Sequence, residues 1–184
     1  GVDAANNSIL GVAGRDPAAP FALSVPVNNE SNELDGWELN IQHHFGDSGF
    51  GVIANYTLVN SDDAQFDDLN TGLQFPLIGL SDSANLVAFF ETDNMGIRVA
   101  YNWREKFLGG TGQDNVGVGP PSYTADYQQI DMNANYWFND NMQVFLDIIN
   151  LTDETSHVHG RTSMQTLFAT QQGVRYQIGF RYKY

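Results

Sequence analysis

Acids, bases, nucleophiles and metal ligands at workable spacings are scarce in this chain. Two histidine pairs come first. His43 and His44 are adjacent, so on a strand their rings point to opposite faces and do not close on one ion. His157 and His159, in SHVHG, lie two apart and share a face if that segment is extended. In a long loop they read as solvated histidines rather than zinc ligands. The stretch SDDAQFDD (61–68) gathers four aspartates, but their spacing matches no EF-hand, and a solvated acidic loop is the simpler reading. GxSxG, HExxH and phosphate-cradling patterns do not occur. The glycine-rich run FLGGTGQDNVGVGPP (107–121) follows a strand and opens no helix, so it does not read as a dinucleotide loop. The expectation is no catalytic residue, no metal site and no cofactor.

Composition narrows the field further. Lys and Arg total 8 against 22 Asp and Glu, a net charge of −14, so the chain repels nucleic acid and anionic headgroups. There is no cysteine, hence no disulfide framework and no thiolate site. Mean hydropathy is −0.31, and the longest apolar run is Leu86-Val87-Ala88-Phe89-Phe90. That falls far short of the ~20 residues of a transmembrane helix. It leaves open a membrane barrel, whose strands alternate and have ordinary hydropathy. The opening GVDAANNSIL lacks a charged start and an apolar targeting core. Either a signal has been removed or the chain is a piece of something longer.

The elements that must position these residues are strands. Two-residue alternation runs through 36–45, 49–59, 85–91, 96–105, 129–138, 141–151 and 174–184. FALSVPVNNE (21–30) is read as an upstream extension of the first of them. One set in each is apolar, such as Trp37, Leu39, Ile41 and Phe45, or Ile97, Val99, Tyr101 and Trp103. The opposite set is polar or mixed, such as Glu38, Asn40, Gln42 and His44.

Loop lengths sort cleanly. GDS (46–48), TDN (92–94) and ND (139–140) are tight, while roughly 60–84, 106–126 and 152–173 are long. Strict alternation of short and long connections is the asymmetry of an outer-membrane meander rather than a Greek-key sandwich. With the tight turns at one end, Phe45, Phe50, Phe90, Phe138, Tyr182 and Tyr184 gather at that rim of the apolar face. Trp37, Tyr56, Tyr101 and Trp103 gather at the other. Two aromatic belts with aliphatics between them suit a bilayer with two interfaces. The predicted fold is all-β: an antiparallel up-and-down transmembrane barrel segment of about seven strands. On this reading Glu38, Asp131, Asp147, Arg98, Arg104, Arg175 and Arg181 face a polar lumen. They form a charge-matched wall rather than a pair of catalytic carboxylates.

A family resemblance sits on GWELNIQHHF, GFGVIANYTLVNSDD, GLSDSANLVAFFE, MGIRVAYNWREKFL, DNMQVFLDIINLTDE and VRYQIGFRYKY. These stretches resemble the last strands of TonB-dependent outer-membrane receptors, most closely a proteobacterial branch tied to carbohydrate uptake. The resemblance spans about residues 26 to 184. INLTDE and the terminal stretch are common to most of the family; QHHF, GFGVIANYT and RVAYNWR carry the narrower likeness. Gln177, Gly179, Tyr182 and Tyr184 resemble the C-terminal signal that hands bacterial barrels to their assembly machinery.

The resemblance implies a 22-stranded barrel around a plug. It also implies energy from the TonB-ExbB-ExbD system through an N-terminal part that these 184 residues do not contain. Residues 1–184 are then expected to be the C-terminal portion of the barrel, with outer-membrane lipid, the rest of the wall and the plug as partners. The implied activity is import of a bulky solute, an oligosaccharide by the nearer branch. Phe66, Phe75 and Tyr123 on long loops are the candidate ligand contacts. Rival readings are a siderophore receptor of the same fold, a structural or adhesive barrel, and a soluble sugar-binding sandwich.

Overall fold

The computed structural model describes residues 31–61, 65–70, 74–113 and 119–184. Residues Asn32–Tyr184 belong to one compact unit. It is all-β, with eleven strands among the described residues. These are β1 (Asp35–His44), β2 (Phe50–Asn60), β3 (Ser83–Glu91), β4 (Met95–Arg104), β5 (Phe107–Gly110), β6 (Ser122–Thr124), β7 (Tyr127–Asn139), β8 (Met142–Ile149), β9 (Thr155–His159), β10 (Thr166–Gln171) and β11 (Arg175–Tyr182). No described helix is long and apolar enough to cross a membrane.

Seven strands make one antiparallel sheet in the order β1-β2-β3-β4-β7-β8-β11. This is the expected meander, with the read boundaries displaced by a residue or two. Its tight turns are closed by local chemistry. Between β1 and β2 the chain needs positive φ twice, and Gly46 (56°) and Gly49 (79°) supply it, while Phe45 N–H donates to the Phe50 carbonyl at 2.9 Å. Between β3 and β4, Thr92 N–H reaches the Met95 carbonyl at 2.8 Å. Between β7 and β8, the Asn139 side chain accepts from Asn141 N–H at 3.0 Å.

The long connections depart from expectation. Two of the three are not plain loops: they contribute a second, four-stranded sheet in the order β10-β9-β6-β5. Its centre is the pairing of Tyr123 with His159 and Thr124 with Val158, between connections far apart in the chain. Strands of three to six residues, with bulges between Leu108 and Gly110 and between Thr166 and Phe168, are too short for alternation to show. The stretch 21–30 lies outside the described residues.

Register settles the faces of the large sheet. Trp37, Leu39 and Ile41 are 72%, 60% and 62% exposed, Ile178 is 78% exposed, and Phe50, Phe138, Phe180 and Tyr182 stand out on the same face. The most buried apolar side chains of this sheet, Val87 and Phe89, lie on the opposite, polar face. A water-soluble sandwich would bury the apolar face; a wall that bathes it in hydrocarbon leaves it bare.

Phe89 and Phe145 also break the simple apolar-versus-polar division of faces. The reason lies across the strand pairing. A Cβ on Gly51 would sit 2.1 Å from Phe89 Cζ, and one on Gly179 would sit 2.2 Å from Phe145 Cζ. Each ring lies over a glycine of the neighbouring strand and fills the space that its missing side chain leaves.

Candidate functional site

The polar face is ordered in rows that cross the strands. Asn40, Asn55, Asn85, Asn102 and Gln129 fall opposite one another through β1, β2, β3, β4 and β7. Asn40 Nδ2 donates to Asn55 Oδ1. Asn55 Nδ2 donates to Asn85 Oδ1 at 3.5 Å and Asn85 Nδ2 to Asn102 Oδ1 at 2.6 Å. Antiparallel pairing brings the Cβ atoms of directly opposed residues within side-chain reach, which is why amides on one row link up.

The ionisable residues singled out from the sequence, Glu38, Arg98, Arg104, Asp131, Asp147, Arg175 and Arg181, share this face by register. Their pairing is not the simple charge matching expected. Arg98 Nη2 lies 3.8 Å from Glu91 Oε1 and 5.8 Å from the Phe89 ring centroid. Arg181 donates to Gln143 Oε1 at 3.0 Å and lies 5.7 Å from the Phe145 ring. The aspartates take amide partners instead. Asp131 Oδ1 accepts from Gln129 Nε2 at 2.6 Å and from Asn150 N–H at 2.9 Å, and Asp147 accepts from Asn133.

The long connections are knitted together. Gly79 N–H donates to the Leu108 carbonyl at 2.9 Å and Ala125 N–H to that of His157 at 2.9 Å. Asp82 holds Val59 N–H at 3.0 Å and the Tyr56 hydroxyl at 3.1 Å. Arg161 clasps Asp68 through a 3.0 Å ion pair and a 2.9 Å bond to its carbonyl. Both side chains are partly open to solvent, 49% and 27%. Arg161→Ala is therefore expected to cost less than about 1 kcal/mol while speeding protease cleavage of the 65–70 segment severalfold.

The histidines and the described aspartates of the acidic stretch, Asp67 and Asp68, are structurally engaged. His43 meets Phe45 at 4.8 Å and His44 meets Phe89 at 5.2 Å, on opposite faces. His157 and His159 do share a face of β9, with centroids 5.8 Å apart. His157 Nε2 contacts Thr166 Oγ1 at 2.9 Å, and His159 Nδ1 the Gly160 carbonyl at 2.7 Å. No three metal-ligating side chains converge among the described residues. Asp67 accepts from Leu69 N–H at 3.0 Å, whereas Asp62 and Asp63 lie outside the described residues.

A cleft of about 340 Å³ opens where the long-connection ends of β4 and β7 meet the last connection. Asn102, Trp103, Arg104, Tyr127, Ser156 and Gln172 line it. The Arg104 guanidinium rests 4.6 Å over the Phe107 ring, and the Tyr127 hydroxyl donates to Gln129 Oε1 at 2.7 Å. Amides, hydroxyls and one guanidinium can hold a polar ligand by hydrogen bonds. None of them is a nucleophile seated against a base.

Phe66, Phe75 and Tyr123 do not line this cleft. Phe66 is half-buried and Phe75 is exposed. Tyr123 stacks on His159 at 5.7 Å beneath the Lys106 ammonium. Burial pushes its hydroxyl above the usual tyrosine range, with Asp68 acting in the same sense and Arg161 against it. Of the cleft residues, sequence reasoning singled out Arg104 for the polar face and Trp103 for the aromatic belt, neither as a ligand contact. Asn102 alternates onto the same face of β4 as Arg104, but Tyr127 precedes the alternating stretch that revealed β7, and Ser156 and Gln172 have no sequence signal.

Comparison with curated proteins and with solved structures returned no match. A family model described as TonB dependent receptor-like, beta-barrel matches residues 3–151, most of the chain. Its members are outer-membrane transporters of Gram-negative bacteria rather than enzymes. With its seven-stranded antiparallel meander, one face apolar and the other polar, the chain belongs to the TonB-dependent receptor β-barrel family.

Proposed function

We propose that residues 1–184 are the C-terminal portion of the barrel wall of a receptor that imports an oligosaccharide across the outer membrane with energy supplied through TonB. The cleft is the observation that supports this substrate class. The two amides, two hydroxyls and one guanidinium among its lining residues offer donors and acceptors for a hydroxyl-rich solute and no cluster of charge. The open edges support the reading of a larger wall. Among the described residues β1 pairs with β2 alone and β11 with β8 alone, and bare strand edges do not persist in hydrocarbon.

On this reading the long connections face outward and the polar face turns to the lumen. The apolar face meets lipid, while a plug and the remaining wall complete the receptor. TonB-ExbB-ExbD acts through the N-terminal part. Gln177, Gly179, Tyr182 and Tyr184 present the assembly signal at the end of β11.

Uptake by cells carrying the whole receptor tests the proposal. Neutral oligosaccharides are expected to enter saturably, and a proton uncoupler to stop them. Arg104→Ala with Tyr127→Phe is expected to raise KM about 5- to 30-fold, as loss of one or two hydrogen bonds of ~1 kcal/mol implies. Entry of ferric chelates in place of any oligosaccharide overturns the substrate class. Uptake indifferent to the uncoupler overturns active transport.

A further inference from the structure

The amide row of the polar face has neighbours that give it a second character. Toward the tight turns, the next row runs through Ile53, Val87 and Ala100. Toward the long connections, the next row contains Thr57 and Ser83. Across β2 and β3 the three rows therefore read as small hydroxyls, amides and aliphatics, with no charged side chain. Glu38, Arg104 and Asp131 stand only at the flanks of this strip, on β1, β4 and β7.

The amides are not saturated by one another. A carboxamide has two N–H donors and two lone pairs on oxygen. Asn55 and Asn85 each use one donor and one acceptor within the row. Each is half-buried and keeps one of each for a ligand. Neighbouring strands set the repeat at ~4.8 Å, close to the length of one pyranose unit in a chain. A pyranose also presents hydroxyls along its rim and C–H groups on its face, the same pairing as the amide row beside Ile53.

We propose that Asn40, Asn55, Asn85, Asn102 and Gln129, with Ile53 beside them, form a lumenal track on which an uncharged oligosaccharide is handed from unit to unit. The inference rests on the import reading above. In a barrel whose strands tilt by ~35–45° a row across the strands climbs obliquely along the lumen, so successive amides lie at successive depths. One end of the row is continuous with the cleft: Asn102 lines the cleft, and Gln129 accepts from the cleft's Tyr127. Evenly spaced, individually weak contacts allow a solute to advance without being trapped, a requirement shared with multi-site pores.

The test measures uptake of labelled maltohexaose, cellohexaose and xylohexaose by cells carrying the complete receptor. Asn55→Leu with Asn85→Leu is expected to lower the maximal rate tenfold or more, with KM within twofold of wild type, because capture at the cleft precedes the track. Asn55→Thr with Asn85→Thr, which suits a strand and removes both amides, is expected to lower it severalfold and decides the matter if the leucine variant does not assemble. Asn85→Gln, which retains the amide, should restore most of the rate. Unchanged maximal rates in assembled threonine variants overturn the track while leaving oligosaccharide import intact. Entry of vancomycin into the variants shows instead that the row seats the plug, and also overturns it. If wild-type receptor takes up none of the three hexaoses, the import reading on which the track rests has failed.

Discussion

Gly51→Val should leave a barrel that melts well below wild type, and Phe89→Ala should lower the melting temperature further by much less than it does in the wild-type chain. The Phe89 ring occupies the space where the new side chain would go, with Cζ 2.1 Å from the position of a Cβ on Gly51. Phe89 is 6% exposed and is bordered by His44 at 5.2 Å and the Arg98 guanidinium at 5.8 Å, so the ring cannot swing away without parting from both. Overpacking of this kind costs ~1–3 kcal/mol. Removing Phe89 alone bares the glycine and costs the burial of a phenylalanine, ~3–5 kcal/mol in a full core and less in a wall. Together the two changes should cost less than their sum by ~1–3 kcal/mol, since valine then fills what the ring vacated. The temperature at which the folded barrel loses its fast gel mobility reports all four corners of the cycle. Strict additivity would mean that ring and glycine are not coupled. Gly179 and Phe145 repeat the arrangement on β8 and β11, at 2.2 Å and beneath Arg181, and the same cycle there should give a result of the same sign.

Asn150→Ala is expected to loosen the start of the last long connection by ~2–4 kcal/mol, from two hydrogen bonds and an unfavourable backbone. Asn150 is 3% exposed and sits at φ 59°. Its side chain accepts from Glu154 N–H at 2.8 Å and donates to the Glu154 carbonyl at 3.1 Å, closing the NLTDE turn on itself. Leu151 N–H reaches the Ile130 carbonyl at 2.8 Å, so the turn also braces β7. Alanine loses both side-chain bonds and must hold a left-handed φ. Glycine loses the bonds but accepts the φ, so Asn150→Gly should be the milder variant by ~1 kcal/mol. Limited proteolysis of the folded barrel at 150–154 separates the two; equal sensitivity would remove backbone conformation from the explanation. This turn, recognisable in the sequence as INLTDE, does structural work for which no ligand is required.

The wall was legible because its signal is local. Alternation within Gly36–Phe45 or Gly96–Glu105 requires no knowledge of any other strand, and the tight turns announce themselves through Gly46, Asp93 and Asn139. What depends on the neighbouring strand was not legible. Phe89 and Phe145 look misplaced until Gly51 and Gly179 are seen opposite them. Asp147 looks like an arginine's partner until Asn133 is found beside it. The small sheet escaped for the same reason: β6 has three residues and is defined by pairing with β5 and β9 rather than by its own pattern. The cleft joins residues from Asn102 to Gln172, and a likeness of loops was never available to place them. Aromatic content drew attention to Phe66, Phe75 and Tyr123, yet aromatic rings on loops can as readily fasten the loops to one another, as Tyr123 does with His159.

The amide row has a further consequence, for how such a wall finds its correct alignment. Slipping one strand past its neighbour by two residues keeps every lipid-facing side chain facing lipid. Hydrocarbon, indifferent to which aliphatic touches which, cannot penalise the error. The row can. A slip of β3 along β2 would set Asn55 against Ser83 or Val87 in place of Asn85, breaking the chain of donors that runs from Asn40 to Asn102 and leaving carboxamides without their mates. A line of identical polar residues, one per strand, acts as a set of alignment marks, readable in a medium where apolar packing carries no such information.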